Sequence, residues 1–137
     1  MGLQATAKGL TSETEYNYGY LTYSCFIQAL INNYDKQLGI IYERLVRPEM
    51  FSRTITDEEL VRLISELPYG LRIWALHSDY DGKFTPMECK LIYDEIKDMK
   101  MDVMAHNYGV RKSYNMLEHW KNIFLHCYKR RVNLYFR

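Results

Sequence analysis

At 137 residues, 47% of them hydrophobic, the chain has the size of one domain and can bury a core without covalent staples. A net charge of +1 gives no overall pull toward nucleic acid or an anionic membrane surface. The cysteines, Cys25, Cys89 and Cys127, are odd in number and far apart, with no CxxC pair. They support neither a disulfide framework nor a zinc ribbon, and fit the reduced thiols of a cytoplasmic protein.

In chain order, residues 1–17 show no apolar run of the kind a signal peptide needs. "MGLQAT" matches the loose myristoylation pattern through Gly2 and Thr6, a short pattern common by chance. With small polar residues and no periodicity, 1–17 is expected to be a flexible N-terminal arm, and 18–137 a single helical domain. From Thr22 onward Tyr23, Phe26, Ile27, Leu30, Ile31, Tyr34 and Leu38 recur at three- and four-residue steps, predicting an amphipathic helix that Gly39 stops. "IIYERLV", with Ile41, Arg44 and Val46 poorly spaced for a helix, predicts a short strand or extended link. In "TDEELVRLISELP", Thr56 and Glu59 form a capping box, and Leu60, Leu63, Ile64 and Leu67 form the apolar stripe, ended by Pro68 and Gly70. Trp74 follows in an apolar segment.

Cys89, Ile92, Ile96, Met99 and Val103 line a helix from about Pro86 to Met104, broken by "HNYG". A last helix, about 111–130, buries Met116, Trp120, Ile123 and Cys127 and sets Lys129, Arg130 and Arg131 at its negative end. The tail "VNLYFR" alternates like a strand, with a partner expected near Ile40 to Leu45. The predicted fold is mainly α: a single-domain bundle of about four to five helices with a small two-stranded β ribbon. Its core should hold Phe26, Leu30, Leu60, Ile64, Trp74, Ile92, Ile96, Trp120 and Phe124.

One stretch carries a nameable mechanism. "HSDYDGKFTPME", His77 to Glu88, overlays the twelve-residue calcium loop of an EF-hand. Asp79 falls at the third place, Asp81 at the fifth, Gly82 at the sixth, Lys83 at the seventh, Phe84 at the eighth and Glu88 at the twelfth. Alternating acids put carboxylates on one side of a tight loop, and glycine permits the positive-φ bend. Lys83 would coordinate through its backbone carbonyl, and Glu88 would return from the exiting helix. His77 stands where aspartate is expected, and imidazole suits a hard, oxygen-seeking ion poorly. Neither Gly39 nor Gly109 is preceded by alternating acids, so no second loop is read at either place to pair with this one. The same residues also make a metal-free turn: Asp79 and Asp81 in Asx turns, Gly82 left-handed, and Thr85-Pro86-Met87-Glu88 a capping box. Both readings stay open, as a structural loop or as a weak calcium site through Asp79, Asp81, Lys83 and Glu88.

The segments "YSCFIQAL", "LHSDYDGKFTPMECKLI" and "VNLYFR" together resemble a family of small uncharacterised bacterial proteins with a central "HSDCDGxxTPEEC"-type segment. The specific part rests on His77, Ser78, Asp79, Asp81, Gly82, Thr85, Pro86, Glu88 and Cys89, with Tyr80 where the family often has cysteine. The resemblance implies that histidine is normal at the first place, which favours a purpose other than ordinary calcium sensing. It supplies no catalytic residue.

Elsewhere, His119 and His126 lie seven apart on one helix with His106 before them, without the HxxxH spacing usual for zinc; they are expected to be neutral surface or boundary residues. Cys89 lies on an apolar stripe and reads as core. Three functional classes remain: a non-enzymatic binding or regulatory module, a small inhibitor or immunity-type protein acting on another protein, and an enzyme using the acids and His77 of 77–88. The first is expected, with no catalytic residue, no cofactor other than calcium, a protein partner, and no nucleic-acid or membrane partner.

Overall fold

The computed structural model describes residues 2–51, 54–77, 82–107 and 111–137, with backbone alone for Gly2, Tyr20 and Asn107. Strands β1 (Gly2–Thr6) and β2 (Tyr16–Gly19) come first, followed by helices α1 (Tyr20–Tyr34), α2 (Lys36–Val46), α3 (Asp57–Glu66) and α4 (Tyr69–Ala75). Strand β3 (Lys83–Phe84), helix α5 (Pro86–Ile96), strands β4 (Met104–Asn107) and β5 (Lys112–Asn115), helix α6 (Met116–Arg130) and strand β6 (Leu134–Phe136) complete the chain. Four strands form an antiparallel sheet in the order β2-β1-β6-β3, and β4-β5 is a separate hairpin. The fold is mixed α and β, which corrects the mainly α bundle with one two-stranded ribbon.

The correction begins at the N-terminus. The stretch expected to be a flexible arm contains β1 and the start of β2. Leu3 and Ala5 are fully buried and alternate with Gln4 and Thr6, as Tyr16 and Tyr18 do with Asn17. That two-residue period marks a half-buried strand. Ala5 opposes Tyr16 on one side and Phe136 on the other, so β1 lies inside the sheet. The tail is a strand, as its alternation suggests, but it pairs with β1 and β3 rather than with residues near Ile40 to Leu45.

Those residues belong to α2. The helix expected to run through Leu38 is cut at Asp35, which is extended (φ −156°) and accepts the N–H groups of Gln37 and Leu38 on its carboxylate. This local cap replaces a further helical turn and lets α2 fold back on α1. Gly39 does not stop a helix; it lies within α2, where a Cβ would come 3.0 Å from the Cα of Asn32. Arg44 is buried and pairs with Glu59 of α3.

The Thr56–Glu59 capping box opens α3 as expected. The core side of α3 is Leu63, followed by buried Leu67, whereas Leu60 is half-buried and Ile64 is 39% exposed. Both were expected in the core; α3 leans mainly on α2, so only a narrow stripe is covered. Gly70 helps to start a helix instead of ending one. Pro68 has no side-chain cap to offer α4, and Glu95 of α5 accepts from the Gly70 and Leu71 N–H groups at 2.7 and 2.8 Å. Helix α5 stops at Ile96, short of Met104, because the following carbonyls find other donors. The Met99 carbonyl accepts from Lys121 and the Met101 carbonyl from Asn115.

The remaining expected core residues, Phe26, Leu30, Trp74, Ile92, Ile96, Trp120 and Phe124, are all buried. Their rings extend into an aromatic spine. Tyr16 lies 4.5 Å from Trp120 between ring centroids, Trp120 lies 5.2 Å from Trp74 and 6.2 Å from Phe136, and Phe136 lies 5.0 Å from His77. Among the described residues no helix is long and apolar enough to cross a membrane.

Candidate functional site

In the 77–88 segment, Asp79 and Asp81 lie outside the described residues, and with them the convergence expected of Asp79, Asp81 and Glu88. The flanking residues are described. Gly82 has φ +92°, the bend a calcium loop and an αL turn both require. Phe136 donates its N–H to the Gly82 carbonyl at 3.0 Å, and Lys83 and Phe84 oppose Tyr135 and Leu134. Bonded pairs alternate along antiparallel strands, so Lys83, next to bonded Gly82, turns its own N–H and carbonyl away from β6. The eighth place of a calcium loop normally joins a partner loop; here β6 of the same chain holds Phe84.

Glu88 is the third residue of α5 and completes a capping box. Its Oε1 accepts from the Thr85 N–H at 2.8 Å, and its N–H donates to Thr85 Oγ1 at 3.3 Å. One carboxylate oxygen therefore already accepts a backbone N–H, and bidentate calcium ligation would call on that oxygen as well. His77 follows the end of α4, and its ring packs 4.3 Å from Phe84 and 5.0 Å from Phe136. A Cβ on Gly82 would come 3.1 Å from the same ring. The imidazole at the first place thus plugs the loop onto the aromatic spine. Cys89, next along α5, is buried against Cys127; the hydrogen bond with Cys127, and then burial, hold its thiol well above the usual range. That is the opposite of thiolate activation.

The histidines of α6 do more than expected. His119 is buried, not a surface or boundary residue. Burial holds its pKa below the usual 6.5, against the opposing pull of the Thr14 and Glu15 backbone. A neutral imidazole has one donor and one acceptor. The ring Nε2 faces the Thr14 carbonyl at 3.2 Å, so Nε2–H donates there, and Nδ1 accepts from the Tyr18 hydroxyl at 2.9 Å. Two turns further along, His126 donates Nε2–H to the Lys8 carbonyl at 2.9 Å. Together the two rings fasten the connection 7–15, between β1 and β2, along α6. His106 lies exposed on β4, and among the described residues no three histidine, cysteine or carboxylate side chains gather as a metal site would need.

Leu10 donates its N–H to the Ala7 carbonyl at 3.1 Å, and Gly9 has φ +93°. This turn has Lys8 and Gly9 at its corner, and positive φ at its third residue is the type II requirement. Beneath the connection, Glu118, Asn122, His126 and Arg130 form a polar stripe at four-residue steps along α6. A cleft of about 470 Å³ opens between the connection and this stripe, lined by Gly9, Thr11, Glu13, Tyr114, Asn122 and His126 among others. A smaller notch of about 340 Å³ lies at the far end, lined by Lys8, Gly9, Arg130 and Val132. The sequence analysis singled out neither the stripe nor the Lys8-Gly9 turn, and nothing local in the sequence says that they meet.

Compared with known protein families, curated proteins and solved structures, the chain matches none.

Proposed function

We propose that the protein is a non-enzymatic binding module in which the 77–88 segment closes the loop between α4 and the sheet and takes calcium weakly if at all. The observation that carries this is the use already made of Glu88, whose Oε1 is held by the Thr85 N–H. Calcium held by both oxygens would share Oε1 with that bond, so an ion would draw on the same atom that caps the helix. His77 at the first place adds no oxygen, and β6 supplies the strand pairing that a partner loop would otherwise bring. The enzymatic alternative asks His77 to serve carboxylates, yet its ring is packed on Phe84, Phe136 and Gly82.

Calcium titration followed by melting temperature and calorimetry tests this reading, since a ligand that binds only the folded form must stabilise it. The expected result is a melting curve unmoved by micromolar calcium. Thr85→Ala should cost about 1 kcal/mol in urea unfolding through the lost cap, with or without calcium. Micromolar affinity that disappears in Asp81→Asn would overturn the proposal.

A further inference from the structure

We propose that the notch between the Lys8–Gly9 turn and the C-terminal end of α6 binds a phosphate-class oxyanion carried by a small phosphorylated ligand. The site is separate from the 77–88 loop and does not depend on how that loop is used.

Two chain segments 122 positions apart bring cations to one concavity, since Lys8 and Arg130 line the same notch of about 340 Å³. Lys129 and Arg131 adjoin Arg130 in the chain, and all four side chains are exposed. Among the described residues, none of the four takes part in an ion pair. No acid follows Glu118 in the sequence. The acids on the connection itself are engaged: Glu13 lies 3.8 Å from Lys112, and both Glu15 oxygens accept hydrogen bonds, from Gln4 and Thr6.

Cations at a helix C-terminus commonly balance the helix dipole, so the magnitudes matter. The dipole amounts to about half a negative charge, and one cation near the last turn answers it. Lys8 and Arg130 on one notch, with Lys129 and Arg131 next to Arg130 in the chain, exceed that, and like charges brought to one concavity repel unless an anion joins them. The backbone beneath them is fixed. His126 holds the Lys8 carbonyl at 2.9 Å, and Gly9 sits where a Cβ would be 3.0 Å from the His126 ring. On the other wall, Val132 donates its N–H to the Cys127 carbonyl at 3.1 Å. A guanidinium fork beside an ammonium suits a phosphate group, which accepts a bidentate pair from arginine and a point charge from lysine.

Inorganic pyrophosphate is the probe, titrated into the full chain at constant ionic strength with calorimetry and melting temperature as readouts. Saturable binding with a rise in melting temperature is expected. Lys8→Gln and Arg130→Gln should each weaken binding by about tenfold, the scale of one charge-assisted hydrogen bond. Lys36→Gln, on α2, should leave binding unchanged. Without the probe, the Lys8 and Arg130 variants should melt at or above the wild-type temperature, because repulsion is relieved, so lost binding is not lost folding. Absence of saturable binding, or binding that survives both substitutions, overturns the site. A single-stranded oligonucleotide that binds more tightly per phosphate than pyrophosphate overturns the small-ligand assignment.

Discussion

In the connection 7–15 a glycine at φ +93° rests against the His126 ring, and in the 77–88 segment a glycine at φ +92° rests against the His77 ring. A Cβ on Gly9 would come 3.0 Å from the first ring, and one on Gly82 would come 3.1 Å from the second. The local geometry is alike, but the rings work differently. His77 packs on Phe84 and Phe136 and closes its loop through ring contact. His126 and His119 close the other connection through their nitrogens, by donating to the Lys8 and Thr14 carbonyls. In one loop the ring belongs to the segment itself and packs on β6, whereas in the other the rings come from a helix more than a hundred residues away. The first kind leaves a readable motif; the second does not.

The polar fastening should be the more sensitive. His119→Ala removes the acceptor of the Tyr18 hydroxyl and the donor to the Thr14 carbonyl, and opens a cavity beside Tyr16 and Tyr114. A cost of about 3 kcal/mol is expected in urea unfolding. His77→Ala, at a half-buried ring, should cost about 1 kcal/mol. Protonation provides a second readout. The folded-state pKa of His119 lies below its unfolded value of 6.5, so below that pH the unfolded chain takes up a proton that the folded chain resists. The stability held above about pH 6.5 is therefore lost as pH falls through the folded pKa, and then levels off. His119→Gln should make the fall shallower. An unchanged pH profile in that variant would remove His119 as its source.

The glycines test whether the two junctions are as alike as their geometry. Gly9→Ala and Gly82→Ala each put a Cβ into positive φ and against a ring, so each should cost about 1–2 kcal/mol. The pairing is checked by a double-mutant cycle. Removing His126 first should relieve part of the Gly9→Ala cost, and removing His77 first part of the Gly82→Ala cost. Additive costs in both cycles would mean that backbone strain alone sets them.

Much of the helical half of this fold is legible in the sequence. Thr56 and Glu59, Thr85 and Glu88, and the stripe from Met116 to Cys127 announce their elements because helix periodicity and caps are local. The sheet was missed at Leu3-Gln4-Ala5-Thr6 and Tyr16-Asn17-Tyr18, where alternation is present but short and diluted by small polar residues. One partner is also remote: β1 pairs with β6, more than a hundred residues further along the chain. Asp35 misled in another way. The apolar stripe runs on past it, and only the carboxylate's capture of the Gln37 and Leu38 N–H groups splits the helix. At the candidate sites, Gly82 and Glu88 stood out because acids and a cap surround them. Gly9, Lys8 and Arg130 did not, because their meeting depends on the His126 bond.

A third junction, from α6 into β6, sharpens the contrast, because there the left-handed residue is not glycine. Arg131 has φ 56° and ψ 46°, and its N–H donates to the Tyr128 carbonyl while that of Val132 donates to Cys127. This is the Schellman ending of a helix, whose left-handed position favours glycine because a Cβ there crowds the backbone. At Gly9 and Gly82 a ring occupies the space a side chain would need; at Arg131 the side chain is already accommodated and exposed. Only the intrinsic backbone strain is then left to recover. Arg131→Gly should therefore stabilise the protein by about 0.5–1 kcal/mol, the reverse sign of the other two positions. Arg131→Gln separates strain from charge, since it discards the cation but keeps the Cβ. In high salt, where repulsion within the basic end is screened, the glycine variant should keep its higher urea midpoint and the glutamine variant should match the wild type. Equal gains in both variants would assign the effect to charge and place the left-handed arginine at no measurable cost.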